Sequence, residues 1–328
     1  MTFEYDNVYL NYTSTVAGKY EKEGPLNKYY DRCFDDFYIG EKTWEQAEIK
    51  MIEHALDILF KKISKSRSEI DLFISGDLLN QITPSNYAAN KLKTPYLGIY
   101  NACATSVEGL IIASNMIDKK QIDNAIVSVS SHNNSAEKQF RYPIEYGGIK
   151  PKTTTFTVTG VAQAFLSREK SNIKIESSTV GRVVDMDITD VYDMGAAMAP
   201  ACADTLYKHL LDTNRTVNYY DLILSGDLGI YGKDYLKEYM LVEYGIKLDN
   251  YDDSATMIYD IKKQEVYAGG SGPACAPLVL YSYILEKMKE GKYKKVLLLA
   301  TGALHSSVTV NEHMNIPSIA HAISLEAI

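Results

Sequence analysis

The sequence predicts an α/β protein made of two duplicated halves, and three observations support this fold class. Buried-strand patterns alternate with helical patterns, which is typical of a covered, largely parallel or mixed sheet. Residues 71–78 and 221–228 are identical at six of eight positions and begin 150 residues apart. Two further pairs of elements follow in the same order. Because order and spacing agree, duplication explains the pattern better than a chance likeness of two buried strands.

The two further pairs are a loop motif before a helix and a strand before a histidine. Residues 101–106 (Asn-Ala-Cys-Ala-Thr-Ser) correspond to residues 272–277 (Gly-Pro-Ala-Cys-Ala-Pro), and each segment opens an apolar run. In the other pair, one strand leads to His132 and its counterpart leads to His305. The repeat therefore predicts a first half and a second half, with the bounds 1–170 and 171–328.

The individual elements are predicted from local patterns. Residues 43–46 fit a capping box, and apolar residues at helical spacing follow it, so a first helix begins near Trp44. A second helix is expected near 102–117, and another near Pro200. Strands are expected near residues 70–75, 95–100, 124–130, 160–167, 221–225, 256–261 and 295–301. Residues 131–155 are polar and without periodicity, which predicts a long functional loop.

Composition excludes several classes of protein. The 328 residues carry 34 basic and 42 acidic side chains, a net charge of −8, which argues against a bulk nucleic-acid binder. With 46% hydrophobic and 23% charged residues, the chain is not a disordered or fibrous protein. Its four cysteines form no CxxC pair, so we expect reduced thiols, no metal site and no cofactor. We also expect neither a signal peptide nor a membrane span.

Cys103 is the first candidate for chemistry. A strand near residues 96–100 and a short turn place it at the start of a helix. A helix N-terminus favours a thiolate, which would be a nucleophile, and its N–H groups also bind carboxylates without a covalent step. A buried packing thiol is the alternative, and position alone does not decide between them.

Residues 101–110 resemble the nucleophile elbow of the thiolase and ketoacyl synthase III superfamily. Longer strings resemble one branch, the stage V sporulation protein AD family; they include residues 40–45, 75–81, 130–133, 193–200, 225–229, 268–272 and 319–322. The resemblance implies a thiolase-like fold with layers in the order α-β-α-β-α, and a homodimer. It also implies binding of dipicolinic acid (pyridine-2,6-dicarboxylic acid), free or as its calcium chelate, and support of its uptake into the developing spore. Membrane proteins of the same sporulation operon would be partners, and would hold the chain at the inner spore membrane.

The resemblance also provides a test for catalysis. A ketoacyl synthase III uses a His and an Asn beside its Cys, and the matching positions here are Gly226 and Gly270. Glycine offers only backbone, and removing one such donor typically costs about 10²–10³ in rate. We therefore expect a vestigial nucleophile and no enzyme. Two alternatives stay open: an active acyl-transferring condensing enzyme that uses Cys103, and a scaffold for membrane partners with a vestigial cleft.

The predicted ligand site lies around this elbow. His132 ends a strand next to it and is expected to bind a carboxylate, with a structural capping role as the alternative. Arg141 lies between Phe140 and Tyr142 and is the expected cation for a dianion. His305 and Gly302 are placed at the cleft rim. The full set of predicted ligand-binding residues is Cys103, Ala104, Ser106, His132, Asn133, Arg141, Gly226, Gly270, Ser271, Gly302 and His305.

Overall fold

A computed structural model describes residues 1–140 and 150–328 of the chain. The strands of these residues are β1 (Thr2–Glu4), β2 (Tyr9–Ala17), β3 (Arg32–Cys33), β4 (Leu72–Gly76), β5 (Tyr96–Gly98), β6 (Asn124–Ser131), β7 (Phe156–Thr157), β8 (Gly160–Ser167), β9 (Ile173–Val180), β10 (Leu222–Ser225), β11 (Tyr251–Asp253), β12 (Gly270–Ser271), β13 (Lys295–Ala303) and β14 (Ser318–Ala327).

The helices fall between these strands. They are α1 (Lys19–Lys22), α2 (Trp44–Ile63), α3 (Thr83–Leu92), α4 (Thr105–Asp118), α5 (Asn133–Phe140), α6 (Met194–Asp212), α7 (Gly229–Tyr244), α8 (Ser254–Met257), α9 (Cys275–Val279), α10 (Leu285–Lys289) and α11 (Ser307–Asn311). A π-helical segment, Leu280–Ile284, joins α9 to α10. Short 3₁₀ turns lie at Asn27–Tyr29, Arg67–Glu69, Asn80–Ile82 and Val217–Tyr219.

The sheet shows the same strand order twice. One half runs β5-β4-β6-β8-β2, and the other runs β11-β10-β13-β14-β9. Numbered by position in the chain, each half has the order third, second, fourth, fifth, first. The first three strands in each order pair in parallel and the last two pair antiparallel. The predicted α/β fold class, with its repeated topology, is confirmed.

Helices cover both outer faces and separate the two halves of the sheet. On one outer face, α2 and α3 pack against the first half, and on the other α6 packs against β13 and β14, with α7 packed on α6. Between them, α4 contacts strands of both halves, and the main apolar core gathers α4, the helix that begins at Cys275 and the inner faces of both half-sheets. The layer order is therefore helix, sheet, helix, sheet, helix.

Local signals explain where several elements begin. Thr43 caps α2 by accepting a hydrogen bond from the Gln46 N–H at 3.2 Å, and Ala47, Met51 and Leu59 face the core, as the capping box and the apolar spacing predicted. The strand expected near 256–261 is wrong. β11 lies earlier, at Tyr251–Asp253, because the Asp253 side chain accepts from the Ala255 N–H and starts α8 directly after the strand.

Two further expectations about helices need correction. Residues 133–140 form α5 rather than part of an irregular loop, while residues 141–149 of that loop lie outside the described residues. The second-half helix begins at Met194, capped by the Asp193 side chain, and Pro200 lies inside it. In the part of the chain that the structure describes, no helix is long and apolar enough to cross a membrane.

Candidate functional site

The elbow at Cys103 follows β5 and leads into α4. Ala102 adopts a left-handed backbone conformation with φ of 48°, which turns the chain sharply between the strand and the helix. Thr105 holds this turn, because its Oγ1 accepts from the Asn101 N–H at 2.9 Å and donates to the Ala102 carbonyl at 2.6 Å. Cys103 is half-buried at the outside of the bend. The local sequence thus forms a nucleophile-type elbow.

A cavity opens beside Cys103 between the two halves. It has about 630 Å³ of space free of atoms, counting its mouth, but the centre of a water molecule can occupy only about 60 Å³ of it, so the cavity is a narrow slot. Among the described residues, its apolar lining comes from Leu78, Tyr100, Ala136, Phe140, Val191, Met194 and Met198. Ligand pockets of proteins are usually apolar with a few placed polar groups, and this cavity has that character.

The polar lining of the cavity comes from paired short strands and from two loops. Residues Thr157 and Ser271 are register partners where β7 pairs with β12, and both line the slot. His305, which follows β13, lies on the opposite side, with its ring 5.3 Å from that of Phe140 in an edge-to-face contact. The described lining residues include no Lys, Arg, Asp or Glu. The described walls therefore offer a thiol, hydroxyls and an imidazole, and no net charge other than that of a protonated histidine.

The structure brings three of the predicted ligand residues to the cavity wall: Cys103, Ser271 and His305. Arg141 lies outside the described residues, so its position relative to the slot stays a prediction. The nearby lysines are engaged elsewhere: Lys138 pairs with Glu45 at 3.3 Å and Lys150 with Glu137 at 3.0 Å.

His132 is not brought to the cavity. Its side chain is fully buried and its Nε2 lies 2.8 Å from the Phe37 carbonyl, to which it donates. Burial lowers the pKa of His132 to about 4, so the ring is neutral near pH 7. Asn133 lies one layer behind the wall, where its Nδ2 donates to the Thr157 carbonyl at 3.2 Å. Both residues support the wall rather than form it.

The remaining elbow residues serve the turn itself. Ala104 is fully buried, and its N–H donates to the Asn101 carbonyl at 3.0 Å instead of facing the cavity. Ser106 is buried near the start of α4. Gly302 lies against the elbow from β13: a Cβ there would come within 2.5 Å of the Asn101 carbonyl oxygen. Only glycine allows the second-half strand to approach the first-half elbow so closely.

Neither Gly226 nor Gly270 has room for a side chain. A Cβ at Gly226 would lie 2.8 Å from the Ala276 Cβ, and one at Gly270 would lie 2.7 Å from a methyl group of Ile258 and 3.1 Å from the Cys275 sulfur. Cβ contacts under 3.0 Å are essentially never seen in proteins. The two positions matched to the His and Asn of ketoacyl synthases are therefore filled by neighbouring side chains.

Asp227 is a site residue that sequence reasoning missed. It follows Gly226 and is fully buried, and neither of its carboxyl oxygens has a hydrogen-bond partner among the described residues. Burial raises the pKa of Asp227 well above its usual value. The repeat contained a signal, because both copies end in a Ser-Gly-Asp motif, at residues 75–77 and 225–227.

His321 is the second residue that was missed. It lies on β14, and its Nε2 is 2.7 Å from the side-chain amide of Asn101, the first residue of the elbow. The Gly181 N–H donates to its Nδ1 at 3.2 Å, and burial lowers the pKa of His321 to about 4. A neutral imidazole from the second half thus holds the elbow of the first half. No group of three or more metal-binding side chains occurs among residues 1–140 and 150–328.

Comparison with solved structures shows a thiolase-like fold. The chain is similar to a single-residue variant of OleA from Xanthomonas campestris, with a TM-score of 0.63 and 14% identity over 99% of both chains. It is also similar to 3-oxoacyl-[acyl-carrier-protein] synthase III from Aquifex aeolicus, with a TM-score of 0.55 and 14% identity over 98% of this chain and 97% of the other. These likenesses show the fold alone.

Comparison of sequences shows the family. The model of the family "Stage V sporulation protein AD (SpoVAD)" matches residues 1–326, a range that includes the elbow, the two copies of the Ser-Gly-Asp motif and His321. Stage V sporulation protein AD of Bacillus subtilis is 44% identical over 320 residues, which cover 97% of this chain and 94% of that protein. Both matches span nearly the whole chain. The chain therefore belongs to the stage V sporulation protein AD family, a family of sporulation proteins with a thiolase-like fold.

Proposed function

We propose that this chain binds dipicolinic acid without catalysis and supports its uptake into the developing spore. The observation that carries the proposal is the narrow slot beside Cys103, which has aromatic and thioether walls and a few hydroxyl groups. A planar pyridine ring fits between such walls, with Tyr100 and Phe140 on the first half and Met194 and Met198 on the second. Membership in a sporulation family supports the biological setting.

The two carboxylates would lie at the polar edges of the slot. The hydroxyls of Thr157 and Ser271 and the imidazole of His305 are the described groups that can donate to them. A dianion also requires positive charge, since an uncompensated buried charge is costly. The described lining has no Lys or Arg, so Arg141 or a bound calcium ion would supply the charge. A calcium chelate of dipicolinate is neutral and would suit the uncharged lining directly.

The lack of room for a side chain at Gly226 and Gly270 supports the proposal that binding occurs without catalysis. The two glycines that we match to the catalytic His and Asn lie against other side chains: Gly226 against Ala276, and Gly270 against Ile258 and Cys275. Without those two side chains, a condensing reaction would lack the groups that ketoacyl synthases use for the oxyanion and the proton transfers. The cavity would therefore retain a carboxylate ligand and release it unchanged.

Thermal unfolding with dipicolinate tests the proposal. A ligand at one hundred times its Kd stabilises the folded chain by about 2.7 kcal/mol, so the melting temperature should rise with dipicolinate concentration. Benzene-1,3-dicarboxylate, which has the same carboxylates and no ring nitrogen, is the matched control and should stabilise less. A melting curve that does not move with millimolar dipicolinate, with or without calcium, contradicts the proposal.

Calorimetry with and without calcium identifies the form of the ligand. If calcium supplies the charge, we expect tight binding only when calcium and dipicolinate are present together, and Arg141→Ala should change the Kd by less than about threefold. If Arg141 supplies it, the free dianion should bind, and Arg141→Ala should weaken binding at least tenfold. Lys152→Ala is the matched control, because Lys152 is an exposed cation in the same region of the chain.

Partners and location belong to the same proposal. We propose that membrane proteins of the same operon hold the chain at the inner spore membrane, and that it acts there as a homodimer. The exposed Leu97 on β5, an edge strand of the described sheet, favours the first-half edge as the dimer contact. Sedimentation should give a dimer, and Leu97→Lys should give a monomer; a monomeric parent chain contradicts this part.

A condensing enzyme is the second candidate, and the retained elbow favours it. Ala102 keeps the strained turn and Cys103 keeps a partly exposed sulfur at the cavity. This candidate predicts an acyl adduct on Cys103 after incubation with acyl-CoA, detected by intact mass, and none in Cys103→Ala. Absence of an adduct over several chain lengths would eliminate it.

A further inference from the structure

A basic turn joins α10 to β13 in a chain whose net charge is −8. Residues 286–295 contain five lysines, at positions 287, 289, 292, 294 and 295, against two acids, Glu286 and Glu290. The segment therefore carries a net charge of +3, opposite in sign to that of the whole chain. Groups of about four to eight basic residues are typical of protein surfaces that bind anionic lipids.

The two acids neutralise only part of this charge. Glu290 pairs with Lys287 at 2.5 Å, and Glu286 lies 3.7 Å from Lys289. Lys292 is exposed and makes no ion pair with a described residue. Exposed ion pairs contribute little to stability, so a strongly anionic surface can compete with the two acids for these lysines. The turn thus presents positive charge to solvent.

Aromatic rings lie beside these lysines. Tyr29, in a 3₁₀ turn, and Tyr283, in the π-helical segment, make an edge-to-face contact with 5.2 Å between their centroids. The Lys287 Nζ lies 5.9 Å from the ring centroid of Tyr29 and 5.6 Å from that of Tyr283. The Lys28 Nζ lies 5.0 Å from the Tyr29 centroid. Tyrosine is enriched where a membrane meets water, because its ring is apolar and its hydroxyl is polar.

The turn itself projects into solvent. Gly291 has a φ of 78°, and a Cβ built on it would meet no atom of the described residues within 4 Å. The Lys292 Nζ lies 5.0 Å from the ring centroid of Tyr293, which is half-buried. We call Lys28, Tyr29, Tyr283 and residues 287–293 the Lys–Tyr patch. A projecting patch can meet a broad surface, whereas protein segments usually bind in a groove or along a sheet edge.

The Lys–Tyr patch and the cavity lie at opposite ends of β13. The patch precedes Lys295, where β13 begins, and Ala303, where it ends, lines the cavity. A strand of nine residues spans about 26 Å. A surface that contacts the patch would therefore leave the cavity accessible.

We propose that the Lys–Tyr patch binds the surface of an anionic lipid bilayer directly. The lysines would contact lipid phosphates, and the tyrosine rings would lie at the level of the headgroups. This contact goes beyond the proposed function, in which partner proteins hold the chain at the membrane. It would act beside those partners, because stable anchoring of a peripheral protein usually takes more than one weak contact. Its test uses no dipicolinate, so a failure of ligand binding leaves it standing.

Cosedimentation of the full chain with sucrose-loaded vesicles tests the proposal. Vesicles of phosphatidylcholine mixed with an equal amount of phosphatidylglycerol should bind the chain at low salt, and vesicles of phosphatidylcholine alone should not. Salt at about 1 M should release the chain, because the Debye length then falls to about 3 Å. Binding to both kinds of vesicle, or to neither, overturns the proposal.

A triple variant removes three exposed charges of the patch by Lys28→Gln, Lys289→Gln and Lys292→Gln. Each lysine near an anionic surface contributes about fivefold to binding, so partition to the anionic vesicles should fall about a hundredfold. Melting temperatures should stay unchanged, since exposed substitutions rarely alter stability. Lys292→Gln alone should give about a fivefold loss, and it replaces the triple variant if that variant is less stable.

The matched control changes the net charge equally on other surfaces. It carries glutamine in place of three exposed lysines that precede α2, β7 and β11, namely Lys42, Lys152 and Lys247. The control should bind the anionic vesicles as the parent chain does. An unchanged partition of the patch variant, or an equal loss in the control, overturns the proposal. Tighter binding to poly-glutamate than to the vesicles, at equal concentrations of negative charge, would assign the patch to an acidic protein and overturn it as well.

Discussion

The loop after β4 and the loop after β10 have nearly the same sequence, but different aspartates accept their backbone hydrogen bonds. In the first, the Asp77 side chain accepts two backbone N–H bonds, so its carboxylate closes the loop. In the second, Asp253 closes the loop, and the fully buried carboxyl of Asp227 has no hydrogen-bond partner among the described residues. The comparison shows that the same residue of a duplicated motif can lose its structural hydrogen bonds when a neighbouring side chain makes them instead.

The largest expected difference between the loops concerns their glycines. A Cβ at Gly76 would lie 2.3 Å from the Ile99 carbonyl oxygen, whereas one at Gly226 meets only the Ala276 Cβ under 3.0 Å. Backbone cannot move as readily as a small side chain, and overpacking typically costs about 1–3 kcal/mol. Gly76→Ala should therefore lower the free energy of unfolding by about 3 kcal/mol and Gly226→Ala by about 1 kcal/mol, measured by urea denaturation. Equal losses would remove the contrast between the loops.

A smaller difference is expected for the acids themselves. Asp77→Asn replaces one acceptor by a donor opposite a backbone N–H, so it should cost about 2 kcal/mol at pH 7.5. Asp227→Asn loses no N–H or O–H donor of the described residues, and it should change the free energy of unfolding by less than about 1 kcal/mol. The same urea titrations measure both values. A larger loss in Asp227→Asn than in Asp77→Asn would show that Asp227, and not Asp77, makes the hydrogen bonds that stabilise the chain.

The smallest expected difference between Asp77 and Asp227 is in how each changes the free energy of unfolding with pH. Burial raises the pKa of Asp77 to about 6, and that of Asp227 well above its usual value. An acid with a raised pKa binds a proton more readily in the folded chain, so it adds stability at low pH that is lost as pH rises through the folded pKa. Relative to its Asn variant, Asp77 should therefore lose its contribution between about pH 4 and 6, whereas the loss for Asp227 should begin at the same pH and continue to higher pH.

The free energy of unfolding can change by up to about 1.4 kcal/mol per pH unit for one titrating group. Unfolding free energies of the chain and both Asn variants, taken at half-unit steps from pH 4 to 8.5, would measure it. Glu21, whose pKa burial raises to about 7, contributes equally to all three proteins and cancels in the differences. Coincident pH windows for the two acids would show that their environments do not differ.

Local patterns predicted the elements near the elbow, and tertiary contacts determined the rest. The capping box at Thr43, the turn before Cys103 and the repeat at residues 71–78 and 221–228 all reflect neighbouring residues, and these predictions are confirmed. The direction of His132 depends on Phe37, which lies 95 residues earlier in the chain. The loop that contains Asp227 is closed by Asp253, which lies 25 residues after Leu228. No periodicity in a single sequence encodes such pairings.

The bond between Asn101 and His321 has a consequence for the order in which the chain acquires its binding site. Synthesis completes the first-half elbow long before β14 emerges, and until then the elbow has neither its imidazole partner nor the close approach of Gly302. A nascent chain that lacks these late strands also lacks His305, which follows β13 and lines the slot. The cavity beside Cys103 can therefore form only after β13 and β14 have joined the sheet.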